Sequence, residues 1–301
     1  MNVVVTGGTG FIGRRVVARL LAASHAVTVV TRDAAGVGAS LPPGARTVAW
    51  GAGAADAVRA ADGIVNLAGE PIAQRWTSTV RARLLSSRVD SLDRLRAALE
   101  GSAGKGRPKV LVSASAVGIY GDRGDQEVDE SSPPADDFLG RICTRWEEAA
   151  RAFEPLGIRV AIVRVGVVLG ADGGALRKML PAFRLGGGGP VGSGRQWMSW
   201  ITVDDAAALF VYALETPSVA GVLNGTAPSP VTNAEFARAL GRALSRPAIL
   251  PVPSVALKLL FGEMAQIVLG GQKVLPRRTL ESGFVFRDAS LDGALRALFA
   301  S

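Results

Sequence analysis

Thr6-Gly7-Gly8-Thr9-Gly10-Phe11-Ile12-Gly13, TGGTGFIG, directly follows the β-branched run NVVVT at 2–6 and runs into an amphipathic stretch, Phe11 to Ala23. An apolar run, then glycines, then 3.6-residue periodicity reads as strand, turn and helix. Three of the glycines have separate tasks. Gly7 makes the tight turn, Gly10 lets backbone approach a pyrophosphate, and Gly13 lets helix pack closely on strand. The helix start presents unpaired N–H groups and the positive end of a dipole to phosphate. Thr9, Phe11 and Ile12 complete the set expected at this turn.

Working outward, apolar strands alternate with helices. AVTVVT (26–31), RTVAW (46–50), GIVNLAG (63–69), KVLVSAS (109–115) and IRVAIVRV (158–165) read as strands. The stretches 54–61, 77–99 and 135–153 read as helices. Near-continuous apolar strands between helices imply a parallel sheet covered on both faces. The fold class expected is therefore α/β, a Rossmann-like doubly wound parallel sheet with a smaller C-terminal lobe. After Gly166 glycine-rich loops and prolines replace the alternation, although 203–214 reads as a helix returning to the sheet and GVLNG (221–225) as one more strand. The sheet domain is expected over 1–165 and 201–225, and the smaller lobe over 166–200 and 226–301.

The totals narrow the classes. A chain of 301 residues, nearly half apolar, is long enough for a sizeable core. One cysteine excludes an internal disulfide, and one histidine with one cysteine makes a transition-metal site improbable, so none is expected. MNVVVTGG enters an apolar run with no basic leader, and Val255 to Gly271 is broken by Lys258, Gly262 and Glu263. Neither a signal peptide nor a membrane span is expected, and the compartment expected is cytoplasmic. The formal charge of +8 comes mostly from arginines spread along the chain with no run of five. They read as solvated surface charge or as contacts to a phosphate-bearing small molecule, so neither nucleic acid nor membrane is expected as a partner.

The end of the second strand decides between the two nicotinamide coenzymes. An acid there bonds the ribose hydroxyls, whereas an arginine accommodates a 2′-phosphate. In HAVTVVTRD, counting 20 residues from Gly13 nominates Asp33; strand register instead turns Thr31 and Arg32 to the ribose. Register favours NADP(H) over NAD(H).

TGGTGFIG, NLAG (66–69), SASAVGIYG (113–121) and RVGVVLG (164–170) resemble the short-chain dehydrogenase/reductase superfamily in its extended, epimerase-like branch. NLAGEPIAQRW (66–76), SSRVDSLDRL (86–95), VVLGADGGAL (168–176), GSGRQWMSWI (192–201) and LPRRTLESGFVF (275–286) resemble, more narrowly, an atypical family described as nucleoside-diphosphate-sugar epimerase-like. The resemblance implies coenzyme contacts from Leu67, Ala68, Arg88 and Val167, the last as a backbone donor. Gly69, Glu70 and Ser113, on the same strand ends, join the expected set. It also implies a tyrosine acid/base with a lysine four residues on, because hydride transfer to a carbonyl needs a proton for the growing alkoxide.

That pair is missing. The two tyrosines, Tyr120 and Tyr212, are followed four residues later by Gly124 and Thr216; on the helix where the pair belongs the slots fall on Leu139 and Cys143. Ser115 matches the superfamily's serine by register. It reads either as a catalytic hydroxyl or as a small polar residue closing the fifth strand. Tyr120 reads either as a proton donor from the following loop or as a packing element. Glu70 and Asp122 are loop carboxylates at the ligand-facing edge, and Trp76, Trp197 and Trp200 read as lobe packing or stacking surfaces. The 77–99 helix is the expected contact of a homodimer. Two functions remain open: an NADP-dependent oxidoreductase or epimerase on a small polar, nucleotide-sugar-like substrate with a non-standard proton donor, or an NADPH-binding sensor without turnover.

Overall fold

The computed structural model describes residues 1–37, 40–100 and 107–300. Seven strands form the central sheet: β1 (Asn2–Thr6), β2 (Ala26–Thr31), β3 (Arg46–Ala49), β4 (Gly63–Asn66), β5 (Val110–Ala116), β6 (Arg159–Val165) and β7 (Gly221–Gly225). Their spatial order is β3-β2-β1-β4-β5-β6-β7, and every pairing is parallel. The order reverses direction beside β1, which puts the crevice for a ligand outside the carboxyl ends of β1 and β4. The strands are apolar on both faces because helices cover both: Val3 to Val5, Ile64, Val65, Leu111, Val112 and Ala161 to Val163 are all buried in one core.

Five helices pack around this sheet, α1 (Phe11–Ala22), α2 (Ala52–Arg59), α3 (Ser78–Ala97), α4 (Phe138–Arg151) and α6 (Val203–Glu215), while α5 (Gly174–Arg184) packs on the strand Val167–Gly170 outside it. Helix α1 packs against α6 and α3 against α4. The reading of a helix from Ala135 is shortened by three residues. Asp137 caps α4 by accepting the Gly140 amide at 2.7 Å, and Pro133-Pro134 precede it in extended chain. A second core gathers Leu176, Leu180, Phe183, Trp200, Phe236 and Leu240 from α5, the 200–202 strand and α7 (Asn233–Ala243). The chain closes through α8 (Ser254–Phe261) and later short helices, ending with Leu291–Phe299 against α7.

The outward face of α3, the helix expected to pair with a second copy, carries Arg83, Asp90 and Asp93, and the neighbouring α4 exposes Arg141, Arg145 and Glu148. No large exposed apolar residue falls on either helix among the described residues. Among the same residues no helix is long and apolar enough to cross a membrane.

Helix α1 meets β1 across Gly13, where a Cβ would lie 2.2 Å from the Gly7 carbonyl oxygen. Gly13→Ala is therefore expected to cost about 1–3 kcal/mol as overpacking at a rigid backbone contact. Urea unfolding at constant m-value checks it.

Candidate functional site

The glycine turn is built as its sequence requires. Gly7 has φ +67°, and a Cβ there would lie 2.5 Å from the Leu67 carbonyl group, so the turn leans on the chain leaving β4. Gly10 donates its amide to Gly7 O at 3.0 Å and stands as the N-cap of α1 without a capping side chain; the first turn holds no acid. The opening amides of α1, from Phe11 to Gly13, are thus bare of competing anions. Phe11 turns its ring away into a seat made by Gly170, Gly173 and Gly174. A Cβ on Gly173 would lie 2.4 Å from that ring. The glycines of VVLGADGGAL thereby lock the nucleotide turn to the start of α5.

At the end of β2, Thr31 is half-buried and Arg32 projects into solvent, its side chain 88% exposed, with its guanidinium 3.3 Å from Glu70. Asp33 is used locally: its carboxylate accepts the Gly36 amide at 2.9 Å in an Asx-type turn. Glu70 is anchored through its backbone, its amide donating to Ser87 Oγ and its carbonyl accepting from Arg88 Nη2. Arg88 also bonds Leu84 O at 2.8 Å and lies over the Trp146 ring, beneath Gly69; burial lowers its pKa. It braces the loop from below.

Thr6, Asn66, Ser91 and Ser113 form a buried polar knot beneath the crevice. Asn66 Oδ1 accepts from Thr6 Oγ1 at 2.6 Å and from Ser91 Oγ at 3.2 Å, while Asn66 Nδ2 donates to Ser113 Oγ. Leu67 and Ala68 line the crevice half-buried. The Val167 amide already donates to Ser199 O at 2.8 Å in the pairing of strands Val167–Gly170 and Trp200–Thr202. That bond occupies the backbone donor expected for a nicotinamide carboxamide.

Where the acid/base pair belongs, Leu139 packs on Gly118 and joins an apolar cluster with Trp76, Leu84, Ile142 and Met264. Cys143 is buried, and burial, reinforced by the neighbouring Glu147, pushes its thiol up to about 12. Ser115, 2% exposed, donates to Glu147 Oε1 at 2.8 Å. Glu147 is in turn clamped by Arg164 through two bonds of 2.8 and 2.9 Å. Arg164 Nη1 donates to the Tyr120 hydroxyl at 2.9 Å, and that hydroxyl donates to Asn224 Oδ1 at 2.7 Å. Tyr120 is fully buried. Burial pushes its phenol up to about 12 against the opposing pull of Arg164. Burial alone would lower Arg164, but Glu147 and Tyr120 outweigh it and hold its pKa above the ordinary value.

The network continues outward. Glu130 accepts the Asn224 amide and the Arg278 and Thr279 amides at the start of the helix Arg277–Glu281. Glu147, Arg164, Asn224 and Glu130 were not among the expected site residues. Arg164 left a signal, a charge inside the apolar strand IRVAIVRV.

Of the three tryptophans, Trp76 is packed edge-on against Phe138 and Trp200 is fully buried. Trp197 alone of the three borders a cleft, of about 420 Å³, lined with Asp122, Asp125, Arg195, Gln196 and Thr232. Its Nε1 donates to Asp125 at 2.8 Å, and Lys273 lies over its ring. Asp122, the other loop carboxylate singled out, accepts the Gly124 amide at 3.2 Å.

Residues 3–224 match the model of the NAD dependent epimerase/dehydratase family, and residues 252–298 match a domain of unknown function, DUF1731. The epimerase family protein SDR39U1 homolog, chloroplastic, of Arabidopsis thaliana is 46% identical over 99% of this chain and 86% of its own. The epimerase family protein YfhF of Bacillus subtilis is 37% identical over 100% of this chain and 98% of its own. Among solved structures, human epimerase family protein SDR39U1 (isoform 2), crystallised with NADPH, superposes with a TM-score of 0.87 at 41% identity over 99% of both chains.

Two measurements test the buried network. Glu147→Gln breaks a desolvated pair and is expected to cost about 3–5 kcal/mol in denaturant unfolding. Glu148→Gln, which breaks the exposed pair with Arg145, is expected to cost less than about 1 kcal/mol. In an alkaline absorbance titration Tyr120 should stay protonated until about pH 12. Its folded pKa exceeds the unfolded value of about 10. The stability it contributes is therefore complete below pH ~10 and lost as pH rises toward the folded value.

Proposed function

The chain belongs to the NAD dependent epimerase/dehydratase family, and from that premise we propose that it is an NADP(H)-binding protein that does not use the superfamily's proton relay. The coenzyme fits the residues present. The bare amides of α1 take the pyrophosphate, Arg32 takes the 2′-phosphate, and Leu67, Ala68 and Gly69 flank the crevice. Asp33, held in its own turn, leaves that end of β2 to Arg32. The NADPH in the human relative's crystal supports the same preference. The sheet body, 1–165 with 201–225, holds the coenzyme, and 166–200 with 226–301 forms the lobe that responds to it.

When bound, NADPH supplies a transferable hydride. The observation that carries the reading is that, among the described residues, no group at the superfamily's proton-relay positions has a proton free to accompany that hydride. Leu139 and Cys143 occupy the dyad positions, and the hydroxyls of Ser115 and Tyr120 are buried and already donating. Coenzyme occupancy is then the output, a conformation that a partner reads.

One observation favours the second reading, an oxidoreductase or epimerase on a nucleotide-sugar-like substrate. Ser115 stands next to last in β5 with a buried carboxylate, Glu147, 2.8 Å from its oxygen, so that hydroxyl has a proton acceptor in place. Calorimetry with NADPH and NADH, followed by NADPH oxidation over a panel of carbonyl compounds, separates the readings. The expected result is tight NADPH binding, no turnover, and an advantage over NADH that shrinks roughly ten-fold or more in Arg32→Ala. Turnover that disappears in Ser115→Ala or Tyr120→Phe would replace this reading with the enzymatic one.

A further inference from the structure

The excess positive charge, dispersed in the sequence, is gathered by the fold. Between Asp172 and Asp204 the chain has no acidic residue and four basic ones, Arg177, Lys178, Arg184 and Arg195. Between Glu235 and Glu263 it again has none, and carries Arg238, Arg242, Arg246 and Lys258. These eight charges equal the net charge of +8, leaving 26 basic and 26 acidic residues elsewhere. The two segments lie side by side. Arg246 Nε donates to Arg184 O at 3.0 Å, the Leu250 amide donates to Gly188 O, and Val191 bridges Val252. Of the eight, only Arg242 forms an ion pair among the described residues, with Asp292.

The same two segments hold six of the large apolar side chains that face solvent. Leu185 is 88% exposed, Ile249 77% and Leu259 75%, and Leu250, Val255 and Phe261 are exposed as well. Val255 and Leu259 are one turn apart on α8 and so share a face, with Lys258 adjacent. An open hollow of about 410 Å³ between Arg238, Arg242, Arg246 and Ile249 lies on this surface.

We infer that this face docks the protein onto the surface of an anionic lipid bilayer. Protruding apolar side chains on segments that carry several cations without an ion pair, Arg238, Arg246 and Lys258 among them, suit a boundary where acyl chains lie under negative headgroups. A nucleic acid would use the cations but give Leu185, Ile249 and Leu259 nothing to enter. A second copy would bring like charges together across a two-fold axis. Contact of this kind is peripheral and needs no membrane-crossing helix. It is also independent of the coenzyme reading, since none of these residues belongs to the nucleotide turn.

The test is sedimentation of the full chain with vesicles of phosphatidylcholine alone or mixed with phosphatidylglycerol, at low and high salt. Expected is binding to the mixed vesicles only, weakened by salt, with Arg238→Gln and Lys258→Gln each lowering the partition coefficient about five-fold. The pair Leu185→Ser with Leu259→Ser should lower it too, while NADPH affinity and thermal midpoint, which check folding, stay unchanged. Equal binding to both vesicle types, or to neither, overturns the proposal. So does duplex DNA binding insensitive to the leucine changes, or a dimer in light scattering that Leu259→Ser dissociates while vesicles are ignored.

Discussion

A guanidinium inside a parallel sheet has to be answered from every side, and Arg164 on β6 sets that demand here. A charge taken out of water costs several kcal/mol unless geometry and hydrogen bonds return it. The answer draws Glu147 from α4, Tyr120 from the loop after β5 and, through that phenol, Asn224 from β7. Ser115 is drawn in by Glu147, and Asn224 is fixed by Glu130, which also caps a late helix. One ion pair thus ties three strands, α4 and the C-terminal chain into a single unit. It also claims the hydroxyls of Ser115 and Tyr120.

The coenzyme end obeys a different constraint, steric rather than electrostatic. Gly7 and Gly13 are contacts of backbone on backbone, and the Phe11 ring fills a space that only glycines leave open. Binding at such a turn depends on amides that the fold has already aimed, so a phosphate meets a site with little left to order. In this chain an open glycine turn therefore stands beside a closed polar network.

Most of the sheet was legible because parallel strands buried on both faces are continuous apolar runs, and because the glycine turn sits where α/β topology puts its ligand. The register of β2 was legible too: it ends at Thr31, which leaves Arg32 outside and lets Asp33 fold back on Gly36. The polar network was not. Its members lie far apart in sequence, as Tyr120 and Asn224 do, and only the strand arginine hinted that something must face it. The partner of the Val167 amide was not legible, because Ser199 lies between two short strands without a periodic signature. The grouping of the charge was hidden for a similar reason. No run of arginines exists, but two acid-free segments separated by a helix and two strands become neighbours only once the chain is folded.

Cys143 carries a consequence of its own. The sole sulfur nucleophile of the chain is sealed between α4 and the sheet, with a pKa near 12, so it is almost wholly thiol at neutral pH. Alkylating or oxidising agents can reach it only when that helix lifts away. The rate at which the native protein loses its free sulfhydryl is then a clock for transient opening of this one seam.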